Sequence, residues 1–306
     1  MNRMEESMKK ILIFISVFFL LVGCNSKDNT KEKINFEKTE SQEEEHYEYE
    51  HGVANYHFEQ WNYNGETLSF DYNINNIGKE CEFGLMFLID GIPQEYEVDG
   101  EMTSMYILDM ETNKNKTLSI KMNPKIDTEK DKCNFNAFLI LNPSLHIEDI
   151  KQYGHNHSIS SVGTILLEMN KTSINKNIKL ENTEVHYQDI PKQVIKDNTK
   201  DGMNMLDSNI YIAKNSSEDN QNYLYINEPL QLKIYGKKGN YRILEFKNNQ
   251  ISNMYNITVK KDQYSNITLN PVMKKNDNIY FLVVPLDAQD PYDYIMINQS
   301  ERWIVK

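Results

Sequence analysis

Lys116 to Pro143 reads KTLSIKMNPKIDTEKDKCNFNAFLILNP, and Ser265 to Pro285 reads SNITLNPVMKKNDNIYFLVVP. Each stretch opens on an alternation of apolar and polar residues. Each then reaches Asn-Pro, crosses a charged loop and closes on a long apolar run ending near proline. Asn123-Pro124 of the first corresponds to Asn270-Pro271 of the second. A period of two marks a strand with one buried face, and an unbroken apolar run marks a central strand. A chain that carries this unit twice predicts a duplicated β domain.

The flanking segments fit that frame. ETLSFDYNIN (Glu66–Asn75) alternates, with Leu68, Phe70, Tyr72 and Ile74 on one face. CEFGLMFLI (Cys81–Ile89) is continuously apolar, and Asp90-Gly91-Ile92-Pro93 then turns the chain into QEYEV. GTILLEM (Gly163–Met169) closes the first series. PLQLKIY, NYRILEF, YIMIN and RWIVK supply the second. Short strands separated by turn signals predict an all-β fold of two tandem immunoglobulin-like, Greek-key β-sandwich domains, residues 52–172 and 201–306. Residues 173–200 read as a linker or an edge strand. The first copy carries an insertion at Asn142–Ser160 where the second has the short link LDAQDPYD. Ser144 there suits the cap of a short helix through Gln152, and the insertion is a natural recognition edge. Cys81 and Cys133 each begin a strand. Antiparallel pairing sets them nearly 30 Å apart, which predicts two free thiols.

The first fifty residues read differently. Met8-Lys9-Lys10 precedes an apolar run from Ile11 to Val22, broken only by Ser16. As a helix it spans roughly 18 Å, against a bilayer core of about 30 Å. That length suits the apolar region of a secretory signal. Leu21-Val22-Gly23-Cys24 resembles the lipobox of bacterial lipoproteins of the Gram-positive type. The resemblance implies cleavage between Gly23 and Cys24 after signal peptide 1–23. It also implies a diacylglyceryl lipid on the Cys24 sulfur, with the protein on the outer face of the cell membrane. Two acyl chains give stable attachment. The stretch 24–51, rich in charge and without a period, reads as a disordered tether.

The chain carries a net charge of −12. Removing a leader with three basic and two acidic residues leaves about −13. Such a chain is repelled by phosphate backbones, so nucleic acid is excluded as a partner. The expected partners are the bilayer, through the lipid, and a protein or other component of the envelope.

Catalytic patterns are missing: there is no His-Glu-x-x-His, no Gly-x-Ser-x-Gly and no phosphate-cradling glycine loop. Catalytic residues and noncovalent cofactors are therefore not expected. His155 and His157, with His146 nearby, come nearest to a metal set, but a pair of solvated loop histidines is the simpler reading. His46, His51 and His57 are scattered among the glutamates of the tether. Asp197 to Gly202 resembles half a calcium loop but has Ser208 where a bidentate glutamate is needed. Asp127, Glu129 and Asp131 alternate in another acidic loop. Tyr47, Tyr49, Tyr56, Tyr63, Tyr72, Tyr223, Tyr225 and Tyr241 suit either strands or a peptide or glycan surface. The expected function is non-enzymatic: an interaction or spacer module of the envelope. The alternatives are a solute-binding or accessory lipoprotein of a transporter, and an extracellular hydrolase using carboxylates such as Glu168 and Asp109.

Overall fold

Along Leu68–Asn76 burial alternates, with Tyr72, Ile74 and Asn76 inside and Ser69, Asp71 and Asn73 outside. Cys81–Ile89, the next strand, has almost no exposed position. The two patterns mark two kinds of layer. The computed structural model of the protein describes residues 46–54, 61–127, 129–148, 159–161, 164–170, 178–215, 223–287 and 297–306. Glu45–Lys306 forms one unit.

In chain order the first half supplies β1 (Tyr49–Val53), β2 (Trp61–Tyr63), β3 (Leu68–Asn76), β4 (Cys81–Ile89), β5 (Ile92–Pro93) and β6 (Tyr96–Val98). It continues with β7 (Glu101–Thr103), β8 (Tyr106–Met110), β9 (Lys114–Met122), β10 (Lys132–Leu141), β11 (Ile159–Ser161) and β12 (Ile165–Met169). The second half supplies β13 (Val185–Asp189), β14 (Thr199–Lys200), β15 (Met203–Asn204), β16 (Ile210–Lys214), β17 (Tyr223–Leu224) and β18 (Leu230–Gly236). It ends with β19 (Gly239–Lys247), β20 (Gln250–Val259), β21 (Gln263–Leu269), β22 (Asn278–Pro285), β23 (Asn298–Gln299) and β24 (Trp303–Val305). Among the described residues the α-helix is confined to Lys192–Asp197, and no helix is long and apolar enough to cross a membrane.

The fold is all-β, and each half is a sandwich in immunoglobulin-like strand order. The first pairs an outer sheet β1-β3-β9-β6-β7 with an inner sheet β2-β12-β10-β4-β5, to which β8 and β11 attach. The second pairs an outer sheet β13-β21-β18-β16 with an inner sheet β17-β24-β22-β19-β20, to which β23 attaches. The repeated sequence unit has the same place in both. Its alternating strand, β9 or β21, lies in the outer sheet, and its apolar strand, β10 or β22, lies in the inner one. A short parallel strand sits beside the last strand of each half: β2 on β12, and β17 on β24.

The inner sheets face one another. From β4, Phe83, Leu85, Phe87 and Ile89 enter the first core, while Met86 and Leu88 point the other way. From β22, Ile279, Phe281 and Val283 enter the second core, while Tyr280, Leu282 and Val284 point away from it. Met86, Leu88, Phe138 and Ile140 meet Leu244, Phe246, Tyr280, Leu282 and Val284 in a third core between the sandwiches. The result is four layers: outer, inner, inner, outer. Burying a large apolar side chain is worth roughly 1.5–3 kcal/mol. Nine buried side chains therefore join the two sandwiches face to face. The long apolar runs of β4, β10, β19 and β22 are explained by burial on both faces.

Polar clamps close both ends of this third core. At one end the Asp90 carboxylate, 1 % exposed, pairs with Lys130 Nζ at 2.8 Å. Lys130 also donates to Leu286 O at 2.9 Å across the junction. Arg242, 1 % exposed, donates to the Asp127 carboxylate, to Asp90 O at 3.0 Å and to Asn256 Oδ1 at 2.9 Å. Gly91 has φ +70°, and a Cβ there would lie 3.1 Å from the Arg242 side chain, so glycine lets the turn close on that arginine. At the other end Asn278 Nδ2 donates to Ile147 O at 2.8 Å, and its Oδ1 accepts from Ile147 N at 3.1 Å. Asn249 donates to Pro143 O beside it.

Two expectations change, and of the two readings of residues 173–200 the edge strand is the one present. The stretch assigned to a tether already forms β1 from Tyr49, because Tyr49 packs edge-on against Phe83 at 5.0 Å and Val53 reaches the same core. Val185–Asp189 forms an edge strand on β21, in the outer sheet of the second sandwich. Residues 144–148 hold no helical turn, and the rest of the expected helix lies outside the described residues. Cys81 and Cys133 are free and buried, as the antiparallel pairing of β4 with β10 requires.

Candidate functional site

Because the inner faces are consumed by the third core, the open sheet surfaces are the outer faces of β1-β3-β9-β6-β7 and β13-β21-β18-β16. They differ in chemistry. On the first, cross-strand polar pairs run between β3 and β9. Ser119 Oγ donates to Asp71 at 2.7 Å and Thr117 Oγ1 to Asn73 at 2.7 Å. A polar groove of about 470 Å³ lies there, lined by residues such as Glu50, Asn73, Asn75 and Thr117. Lys121 pairs with Glu97 at 3.3 Å on the same face. This face carries three carboxylates, Glu50, Asp71 and Glu97, against Lys121 and the groove-lining Lys116.

The other face is aromatic. Along β18 the inward residues Leu230, Leu232 and Ile234 fill the second core, leaving Gln231, Lys233 and Tyr235 outward. Along β21 the outward residues are Tyr264, Asn266 and Thr268. β16 presents Tyr211 and Ala213. β13 presents His186 and Gln188, since its Val185 pairs with the inward Ile267. Register then aligns the tyrosines. Tyr211 is directly opposite Tyr235, with ring centroids 5.3 Å apart and planes within 20°. Tyr264 meets Tyr235 edge to face at 5.2 Å. Lys233 Nζ lies 4.6 Å over the Tyr264 ring, an energetically favourable cation–π contact. The three rings thus form one packed row across neighbouring strands. Burial raises the Tyr235 phenol above its ordinary range, with Tyr264 and Tyr211 adding to the effect, so its hydroxyl keeps its proton. Not one of these outward strand positions carries a carboxylate, on a chain of net charge −12; Glu184, just before β13, lies 3.7 Å from His186 at the edge of the face.

The residues singled out from sequence are placed as follows. Gly23, Cys24, His57, Tyr56, His155 and His157 lie outside the described residues. His146 is exposed. Among the described residues no group of three or more His, Cys, Asp or Glu side chains is arranged to hold a metal. The half calcium loop is a hairpin turn: Asp201 and Gly202 both have positive φ between β14 and β15, the Asp-Gly chemistry of a tight turn. Asp127 is bound to Arg242. Glu168 and Asp109, on β12 and β8, are separated by β10 and β4. At about 4.8 Å per strand that is at least roughly 14 Å across the strands, with a further offset along them, too far for a paired-carboxylate site. Glu168 instead pairs with Lys132 at 3.4 Å. Tyr63, Tyr72 and Tyr241 are core residues. Tyr211, Tyr235 and Tyr264 were not selected from sequence. Each sits singly in its own strand, and only the register brings the three together.

His51, read as a tether residue, is a structural link between layers. Its Nε2 lies 2.7 Å from Ser160 Oγ, and its Nδ1 contacts the Tyr72 hydroxyl. Ser160 Oγ also donates to Leu139 O at 3.4 Å. The consistent arrangement has Nε2–H donating to Ser160 and Nδ1 accepting from Tyr72, which requires a neutral ring. Burial lowers the His51 pKa from 6.5 to about 4. Between these values the unfolded chain binds a proton that the folded chain refuses. Stability from neutral His51 is therefore complete above pH 6.5 and is lost as pH falls towards 4, by up to about 3 kcal/mol. Urea melts from pH 7.5 to 4 should show this slope, and His51→Gln should remove it. An unchanged slope in that variant would refute the assignment.

No family model matches the chain, and no curated protein matches it. Among solved structures it is similar to the periplasmic chaperone SfaE, at 10% identity and TM-score 0.24, over 85% of this chain and 100% of that chain. It is also similar to the fibronectin(III)-like modules of Clostridium thermocellum CbhA, at 8% identity and TM-score 0.20, over 84% and 94%. A protein of unknown function from Porphyromonas gingivalis W83 matches at 10% identity and TM-score 0.24, over 83% and 99%. At such TM-scores the superpositions fix no role for this chain.

Proposed function

We infer that the protein is a lipid-anchored, non-enzymatic binding module on the outer face of a bacterial membrane. The observation that carries this reading is the open tyrosine face of β13-β21-β18-β16, aligned across three strands, with no carboxylate in the tyrosine row itself on an acidic chain. Tyrosine joins large contact area to hydrogen-bonding capacity with few rotatable bonds, which suits it to recognition. The four-layer body supports such a role by holding that face rigid. It enters the fold through β1, in the outer sheet at the other end of the stack. The lipobox-like Leu21-Val22-Gly23-Cys24 supports anchoring, with the lipid on Cys24 as the sole prosthetic group.

Cys24→Ser is expected to abolish fatty-acid labelling and to release the protein from membranes or stall its processing. Undiminished labelling would overturn the anchoring. A photoreactive residue at Gln231, on the rim of the tyrosine face, should form adducts with an envelope component in intact cells. The same probe at exposed Thr112, in the β8–β9 turn of the other sandwich, should not. Equal labelling from both positions would overturn the site.

A further inference from the structure

We propose that the tyrosine face binds a glycan strand bearing acetamido groups and carboxylates, laid across β16, β18 and β21. The inference rests on the binding-module reading above and names its ligand class. Three observations converge on it.

The first is the mutual packing of the rings. Tyr211 and Tyr235 cover one another's faces, and Lys233 covers a face of Tyr264. Part of the ring surface is thus spent on internal contacts, and the row offers three phenol hydroxyls that a polyol can meet. Gln188, opposite Tyr264 in the register, adds an amide donor and acceptor to that row, the groups that match hydroxyls and acetamides.

The second is span. The centroid steps of 5.3 and 5.2 Å follow the strand spacing. The row is therefore roughly 10 Å long, two strand spacings. That is about the length of a disaccharide, and it runs across the strands rather than along them. An extended peptide adding to a sheet would run along an edge strand and contact alternate side chains of that one strand. The tyrosine row does not have that direction.

The third is charge. A chain of net −12 repels an anionic polymer over most of its surface. The outer face of the first sandwich carries Glu50, Asp71 and Glu97 against Lys121 and Lys116. The tyrosine row has no carboxylate; Glu184 lies at the β13 edge, 3.7 Å from His186, while Lys233 stands over Tyr264 within the row. One ammonium amid neutral hydrogen-bonding groups complements a strand that carries an occasional carboxylate. It does not complement a densely charged polyphosphate.

The test is calorimetric titration of the full mature chain with two probes. One is the tetrasaccharide of alternating N-acetylglucosamine and N-acetylmuramic acid. The other is chitotetraose, which lacks the carboxylates. The native protein should bind the first at least fivefold more tightly than the second. The double variant Tyr211→Phe, Tyr264→Phe keeps the rings and removes two hydroxyls. It should weaken binding at least tenfold while leaving the melting temperature unchanged. Lys233→Gln should erase the preference between the probes. No binding of either probe by the native protein would overturn the proposal, as would undiminished binding by the double variant. If titrations are flat while the Gln231 probe captures an envelope protein, the glycan falls and the binding module stands.

Discussion

Phe138→Asp is expected to uncouple the unfolding of the two sandwiches. Phe138 is 2 % exposed in the core between the inner sheets, against side chains that the other half provides. An unpaired carboxylate there must be desolvated, or the interface must part. The chain has two tryptophans, and they fall one to each half: Trp61 on β2 and Trp303 on β24. Single-tryptophan proteins therefore report each sandwich separately. In the otherwise native chain, urea midpoints from Trp61 and Trp303 should coincide, because neither half keeps its inner face covered alone. With Phe138→Asp they should separate, or soluble protein should be lost. Phe138→Ala is the milder partner, expected to cost about 3–5 kcal/mol through the cavity it leaves. Coincident midpoints in Phe138→Asp, within about 1 kcal/mol of the parent, would show that the halves are not locked together.

The second large effect belongs to Arg242. Its guanidinium is buried and spans the junction, reaching Asp127 and the Asp90 carbonyl of the first half and Asn256 of its own. Burial pushes the neighbouring Asp90 carboxyl up, while the Lys130 charge pulls it down. Arg242→Ala removes one cation from a cluster that holds two carboxylates, and should cost about 3–5 kcal/mol. Pairing it with Asp127→Asn should recover part of that loss, because the abandoned charge goes too. A double variant no more stable than Arg242→Ala would mean that the arginine acts through its carbonyl contacts instead. Denaturant melts of the two single variants and the double variant decide between these outcomes.

Much of the fold was legible. The alternating strands β3, β9, β18 and β21 announce sheets with one wet face, and the repeated Asn-Pro unit announces two similar halves. The apolar runs were read as central strands, which is true, yet their second buried face is not visible in sequence. Periodicity shows that a run is apolar on both sides and cannot say what covers the second side. Here the cover is the same chain, folded back as a second sandwich. The clamps were illegible for a related reason. Asp127 looked like a member of an acidic loop until Arg242, far along the chain, was placed beside it. His51 looked like one of many polar residues near the start, and only the β1–β3 register turns it towards Tyr72. The tyrosine face depends wholly on register: Tyr211, Tyr235 and Tyr264 belong to separate strands, and no local pattern links them.

The third core also sets an order of events during synthesis and export. Met86, Leu88, Phe138 and Ile140 are complete as a greasy sheet surface once β10 has emerged. Their cover is finished only when β22 follows, roughly 140 residues later, or on the order of ten seconds of translation. Through that interval the nascent first half offers an open apolar plate to whatever is nearby, a sister chain included. A chain cut short between the halves is therefore an aggregation hazard rather than a smaller working protein.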